Sequence, residues 1–328
     1  MRAIRLACGL VSLVAGAAPA LAAERCQMST EERSWIDRAL QASDQVMKQR
    51  LRLPAEARPT IIVFDQNCRF ESKGSRNIRW VGSAHHGKIH IPDGSDVDAG
   101  VTSFASQDEK TGQRFFVMAL PPVWEAAKMA IVGDNGLTGV FLHEFSHTRQ
   151  MNALKPVFAA ASAQYKMADD FNDDSLQQHF KSDPAYVAVF EKEADLLYRS
   201  AAEPDAAKAR ALAGQALALM EARQKRWFVG GEAMWKPYDD LFLTLEGFGQ
   251  WNAYAWLSDP RGGGLTTAAA EAKMRGGHWW SQEEGLALFL VIDRFVPNWA
   301  SKAFAAPPAL GIDLLRQAVS GQAKPSGT

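Results

Sequence analysis

The sequence predicts an α+β, predominantly helical protein, with a small N-terminal mixed sheet followed by a large helical part. Three observations carry this. Short β-branched and apolar runs fall before Pro121 and Pro122, bounded by Gly, Asp and Asn. After them, apolar residues recur at helical spacing in segment after segment, and the last part of the chain holds no convincing strand. The composition is that of an ordinary globular protein, with 22% charged and 47% hydrophobic residues in a chain of 328, enough to bury a sizeable core.

The first segment is read apart from the fold. Arg2 and Arg5 precede an uncharged stretch from Leu6 to Ala22 that closes on Ala20, Leu21 and Ala22, the three parts of a secretory signal peptide over residues 1–22. The stretch is shorter than the ~20 residues a spanning helix needs. Cys8 lies before the apolar run rather than after it, which does not suit lipid attachment. The expected location is periplasmic or secreted, with no membrane span once the signal is removed. Loss of Arg2 and Arg5 takes the formal charge from -1 to -3. In an oxidising compartment the two remaining cysteines, Cys26 and Cys68, are expected to form a disulfide worth roughly 3 to 4 kcal/mol.

A helix is predicted from Ser29 to about Leu51, opened by Ser29 and Glu32 in capping-box spacing, with Trp35, Ile36, Leu40, Val46 and Met47 on one side. Leu53 and Pro54 end it. Strands are predicted at Thr60 to Phe64, Ile78 to Val81, Lys88 to Ile91 and Arg114 to Leu120. His85 and His86 fall in a turn between two of these and read as exposed loop residues. Helices follow near 137–152, 184–201, 205–227, 239–257, 266–274 and 281–294. Arg223, Lys225 and Arg226 read as the solvated basic end of one of them. Ser281 and Glu284 have capping-box spacing, which gives Glu283 and Glu284 a structural role. The expected organisation is one domain over 23–328, with an α/β part at 23–135, a helical part at 136–321 and a frayed tail at 322–328.

Charge narrows the function. With 36 Lys plus Arg against 37 Asp plus Glu and no long run of one sign, the chain offers no basic surface for nucleic acid. The chemistry concentrates in the segment LTGVFLHEFSH from Leu137 to His147. Two histidines four apart on a helix present both imidazoles on one face, within reach of one metal ion, and Glu144 beside the first can take a proton from an attacking water. Chance alone would give such a motif in roughly one chain in a hundred of this composition.

A third ligand must come from elsewhere, because the residues that would complete a metzincin site are Gln150 and Ala153 here rather than Gly and His. Two glutamates compete. Glu246 is the only carboxylate in its stretch of a helix that reads as buried all round, where an unpaired charge is strongly unfavourable and a divalent metal would offset the penalty. Gly247 and Gly249 beside it would let that helix approach another closely. Glu191 has Lys192, Glu193 and Asp195 as neighbours, so a solvated face explains it without a metal. Desolvation favours Glu246, with Glu191 as the alternative.

His143, Glu144 and His147 followed by Glu246, Gly247, Phe248 and Gly249 resemble the gluzincin zinc metallopeptidases, and loosely their aminopeptidase branch. Glu191 with Asp195 instead looks like the E-x-x-x-D motif of the membrane-associated gluzincins. The 98 residues between His147 and Glu246 exceed the aminopeptidase spacing, so the likeness is one of motifs. It implies a zincin-like catalytic domain with one Zn2+ per chain, held by His143, His147 and Glu246, and Glu144 as general base in hydrolysis of a peptide or protein substrate. Tyr254 and His278 are the oxyanion candidates, and Asp195 would support a ligand histidine only if Glu191 were the third ligand. Two alternatives are a non-catalytic exported helical binding or scaffold protein with a degenerate site, and a metal-dependent hydrolase of another amide or ester.

Overall fold

A computed structural model describes residues 26–73, 78–129, 133–165 and 172–321. The expected signal peptide and C-terminal tail lie outside them. Helix α1 (Thr30–Gln45) opens with the predicted capping box, in which Ser29 and Glu32 each accept from the other's backbone N–H, and its last turn widens into a π-helical turn at Val46–Arg50. Seven strands follow: β1 (Thr60–Phe64), β2 (Cys68–Lys73), β3 (Arg79–Ala84), β4 (Lys88–His90), β5 (Asp96–Asp98), β6 (Ser103–Gln107) and β7 (Arg114–Ala119).

Five of them form a mixed sheet in the order β3-β2-β1-β7-β6, in which β1 and β7 are parallel and the other pairs antiparallel. The central strands TIIVF and RFFVMA are buried almost throughout, as continuous apolar runs require. β4 and β5 make a separate two-stranded ribbon. The disulfide between Cys26 and Cys68 ties the start of the described chain to β2.

The rest is helical: α2 (Pro121–Ala126), α3 (Asp134–Gln164), α4 (Ser175–Phe180), α5 (Pro184–Ala202), α6 (Ala206–Trp227), α7 (Trp235–Leu257), α8 (Thr267–Met274), α9 (Trp280–Phe295), α10 (Trp299–Ala303) and α11 (Gly311–Ser320). The architecture is thus α+β with a small mixed sheet first, as expected. Among the described residues no helix is long and apolar enough to cross a membrane. α7 packs between α3 and α9. Its crossing with α9 is backbone on backbone, since a Cβ at Gly247 would lie 2.5 Å from the Gly285 carbonyl oxygen.

Several expectations need correction. β2, β5 and β6 and the helices α2, α4, α10 and α11 were not predicted from the sequence, being short or charged in their exposed positions. His85 lies in the expected turn but is buried, its Nε2 3.0 Å from the Asp65 carbonyl oxygen and its Nδ1 accepting from Gly87 N–H. α9 starts at Trp280 with no side-chain cap. Glu283 instead accepts from the backbone N–H groups of Gly276 and Gly277, and Glu284 is buried.

Arg223 is not solvated either, having a fully buried side chain. Its guanidinium donates to Glu193 at 2.8 Å, Tyr186 Oη at 2.7 Å, Asp239 at 3.3 Å and Glu284 at 3.4 Å. Helical periodicity puts Arg223 on the inner face of α6, and three carboxylates from α5, α7 and α9 supply the partners that a buried charge needs.

Candidate metal centre

The face of α3 that carries the histidines is fixed by what its other face does. Phe141 and Phe145 stack on each other at 5.0 Å and meet Phe116 of β7 edge-on at 5.0 and 5.4 Å, pinning α3 to the sheet. His143 and His147 therefore turn toward α7, with their rings 4.8 Å apart. Gly249 makes this approach achievable, because a Cβ there would sit 2.8 Å from the His143 ring.

Glu246 meets them from α7. Its Oε2 is 3.1 Å from His143 Nε2 and its Oε1 is 3.5 Å from His147 Nε2, with all three side chains over nine-tenths buried. Gln282 of α9 donates to Glu246 Oε2 at 3.2 Å and in turn accepts from Gln250 at 2.7 Å. Ligand-type atoms of His143, Glu144 and His147 lie within 4.8 Å of one another, so this buried group could hold a metal ion.

A second hydrogen bond decides the chemistry of His147. Gln150 donates its amide N–H to the Thr244 carbonyl at 3.2 Å, which turns its Oε1 to His147 Nδ1 at 2.8 Å. Nδ1 must then carry the proton, and burial pushes the His147 pKa down to about 4, keeping the ring neutral. The bare lone pair of Nε2 thus faces a carboxylate oxygen. Two acceptors at that distance repel unless a cation lies between them, and two imidazoles with one carboxylate are a donor set suited to zinc.

The other groups respond to the same desolvation. Burial would raise Glu246, but the facing imidazoles and the bonds from His143 and Gln282 hold it down at about 2. Burial would lower His143, but the hydrogen bond and charge of Glu246 raise it above its ordinary value. Glu144 is pushed up to about 7, by burial first and the charge of Glu246 second, opposed by His143.

Glu144, His147 and Glu246 open onto a cleft of about 960 Å³ that is also lined by β6, one of the two edge strands of the sheet, and by Trp279. Among the lining residues missed from the sequence are Gln282 and, on the turn before α4, Asp173 and Asp174. Asn172, Asp173 and Asp174 read locally as turn formers, and no spacing rule says that the turn overhangs a site more than twenty residues away.

The remaining expected residues lie elsewhere. Glu191 is exposed on α5, and Asp195 pairs with Arg199 and Arg275 on the surface. Tyr254 is buried about 12 Å along α7 from Glu246, where Arg50, Glu271 and Asp293 act on it. His278 is exposed against Trp279. Neither of these two lines the cleft. Compared with known proteins, the chain matches no family model, no curated protein and no solved structure.

Proposed function

We propose that the chain is an exported zinc-dependent metallopeptidase of the gluzincin type, built on a zincin-like domain. The observation that carries this is the convergence of His143, His147 and Glu246, with a bare His147 nitrogen turned to a carboxylate and Glu144 alongside. His143, His147 and Glu246 hold the ion, and the Glu246 carboxylate neutralises part of its charge. When bound, zinc supplies Lewis acidity, polarising the substrate carbonyl and making a water nucleophilic near neutral pH.

Glu144 takes the proton of the attacking water and delivers it to the leaving amine. Its desolvated carboxyl lies beside both ligand histidines, where it can receive a proton from water and return it. Gln150 and Gln282 keep His147 and Glu246 in register. A peptide is favoured over other amides and esters by β6, whose outer edge has no strand partner among the described residues and lines the cleft, so an extended backbone can pair with it. The Cys26–Cys68 disulfide suits the oxidising compartment to which a signal at 1–22 would deliver the chain.

The test is hydrolysis of a mixed peptide library by zinc-loaded protein, wild type against Glu144→Gln. Cleavage should fall at least about a thousandfold in the variant, with folding and zinc content retained. Turnover that survives the substitution would rule the proposal out.

A further inference from the structure

A second cavity, of about 450 Å³, lies between α1, the segment 54–59 and α3, and shares no lining residue with the cleft of the metal centre. Its apolar wall includes Leu40, Met47, Pro54, Pro59 and Phe145. Its charges do not balance. Lys48, Arg58, Arg114 and Arg149 line it against Asp44 and Glu56, a formal surplus of two positive charges. Each carboxylate is divided between two cations: Asp44 pairs with Lys48 at 2.9 Å and Arg58 at 3.1 Å, and Glu56 with Arg114 at 3.0 Å and Arg149 at 3.5 Å.

Arg114 and Arg149 are the more enclosed of the four, with side chains 14% and 11% exposed. Their far ends are fixed, because Arg114 donates to the Thr148 and Ala57 carbonyls and Arg149 to the Pro54 carbonyl, so neither guanidinium is free to swing out into water. Arg149 Nε is shielded from solvent and makes no hydrogen bond, its contact with Glu56 being too long for one. Burial lowers the Arg149 pKa from its ordinary value, Glu56 opposes this, and the neighbouring charge of Arg114 lowers it further. A shielded N–H without an acceptor, beside two held guanidiniums that share one carboxylate, is unfavourable in the free protein, and an anion entering the cavity would relieve it.

We propose that this cavity is a binding site for a small amphiphilic anion, a carboxylate or similar head group on an apolar body, with the head on Arg114 and Arg149 and the body against the apolar wall. The held arginines are already placed for such a head group, so little ordering is needed on binding. A neutral ligand would leave Arg149 Nε unanswered, and a cationic one would add to the surplus. The site is independent of what the metal centre does.

The probes are octanoate, octanesulfonate, 1-octanol and octyltrimethylammonium, titrated calorimetrically into the protein with zinc supplied and again after chelation. One anion per chain is expected, bound about tenfold or more tighter than the alcohol or the cation, with or without zinc. Arg149→Gln should abolish that preference. Because Arg149 also holds the Pro54 carbonyl, Glu56→Gln is the second variant: it removes the competing charge, keeps an acceptor for both guanidiniums, and should tighten anion binding by about threefold or more. No measurable anion binding, equal affinity for all four probes, or a preference unchanged in folded Arg149→Gln or in Glu56→Gln would overturn the proposal. Anion binding that appears only with zinc would place the ligand on the metal instead, and would overturn it too.

Discussion

Gln150 is the least conspicuous residue of the candidate metal centre and the one that sets its proton arrangement. Its amide is oriented by the Thr244 carbonyl, and the oxygen it turns to His147 fixes which ring nitrogen is bare. Gln150→Leu should leave the fold intact and weaken zinc binding by about 10- to 100-fold, measured by competition with a chelator of known affinity. Unchanged affinity would mean that His147 needs no orienting partner. The sequence singled out His143, Glu144, His147 and Glu246, which the structure brings together, because the signal lies in residue type: two imidazoles at helical spacing, and a carboxylate alone in an apolar helix. Gln150 could have been found as a polar acceptor three residues beyond a ligand histidine on the same helix. Gln282, Asp173 and Asp174 could not, because their relevance comes from where separate elements land.

At the scale of elements, the site depends on how closely α7 can approach its neighbours. A Cβ on Gly285 would lie 2.6 Å from the Gly247 Cα, so Gly285→Ala must separate α7 from α9 or distort both. A loss of about 1 to 3 kcal/mol in unfolding free energy is expected from denaturant titration, with weaker zinc binding because Glu246 and Gln282 ride on those two helices. Unaltered stability would show that the crossing has slack.

Most helices were legible from periodicity, but their limits were not. α3 was expected to stop near 152, ahead of Pro156, and instead runs through that proline to Gln164. Leu154 and Ala161, with Val157 and Phe158, pack against Tyr238, Leu241 and Phe242 of α7, and that burial outweighs the local breaker. β6 went unread because SFASQ is half-buried along its whole length and shows no clean alternation, yet it forms a wall of the cleft.

Across the whole molecule, the helical part is held around a buried ion cluster. Glu193, Asp239 and Glu284 surround the single charge of Arg223, so three buried carboxyls share one cation. Burial, then the charges of Glu193 and Asp239, raise Glu284 well above its ordinary 4.5 against the pull of Arg223.

A carboxyl whose pKa is raised by folding costs stability as pH climbs past its unfolded value, because only the unfolded chain can ionise freely. Glu284→Gln removes the titration. Its melting temperature should match wild type near pH 4 and exceed it increasingly toward pH 8, and a pH-independent difference would contradict the raised pKa of Glu284. The disulfide acts at the same scale. Its loop spans a sequence separation of 42 residues. Replacing both cysteines with serine should cost about 4 kcal/mol in unfolding free energy.

The most direct measurement of the central claim is zinc content by elemental mass spectrometry on purified, zinc-supplied and washed protein, comparing wild type with His143→Ala, Glu246→Gln and Glu191→Gln, each checked for folding. Near one zinc per chain is expected in wild type and in Glu191→Gln, with clear loss in the other two. No zinc in the wild type, or loss in Glu191→Gln with retention in Glu246→Gln, would contradict the assignment of His143, His147 and Glu246 as the metal centre.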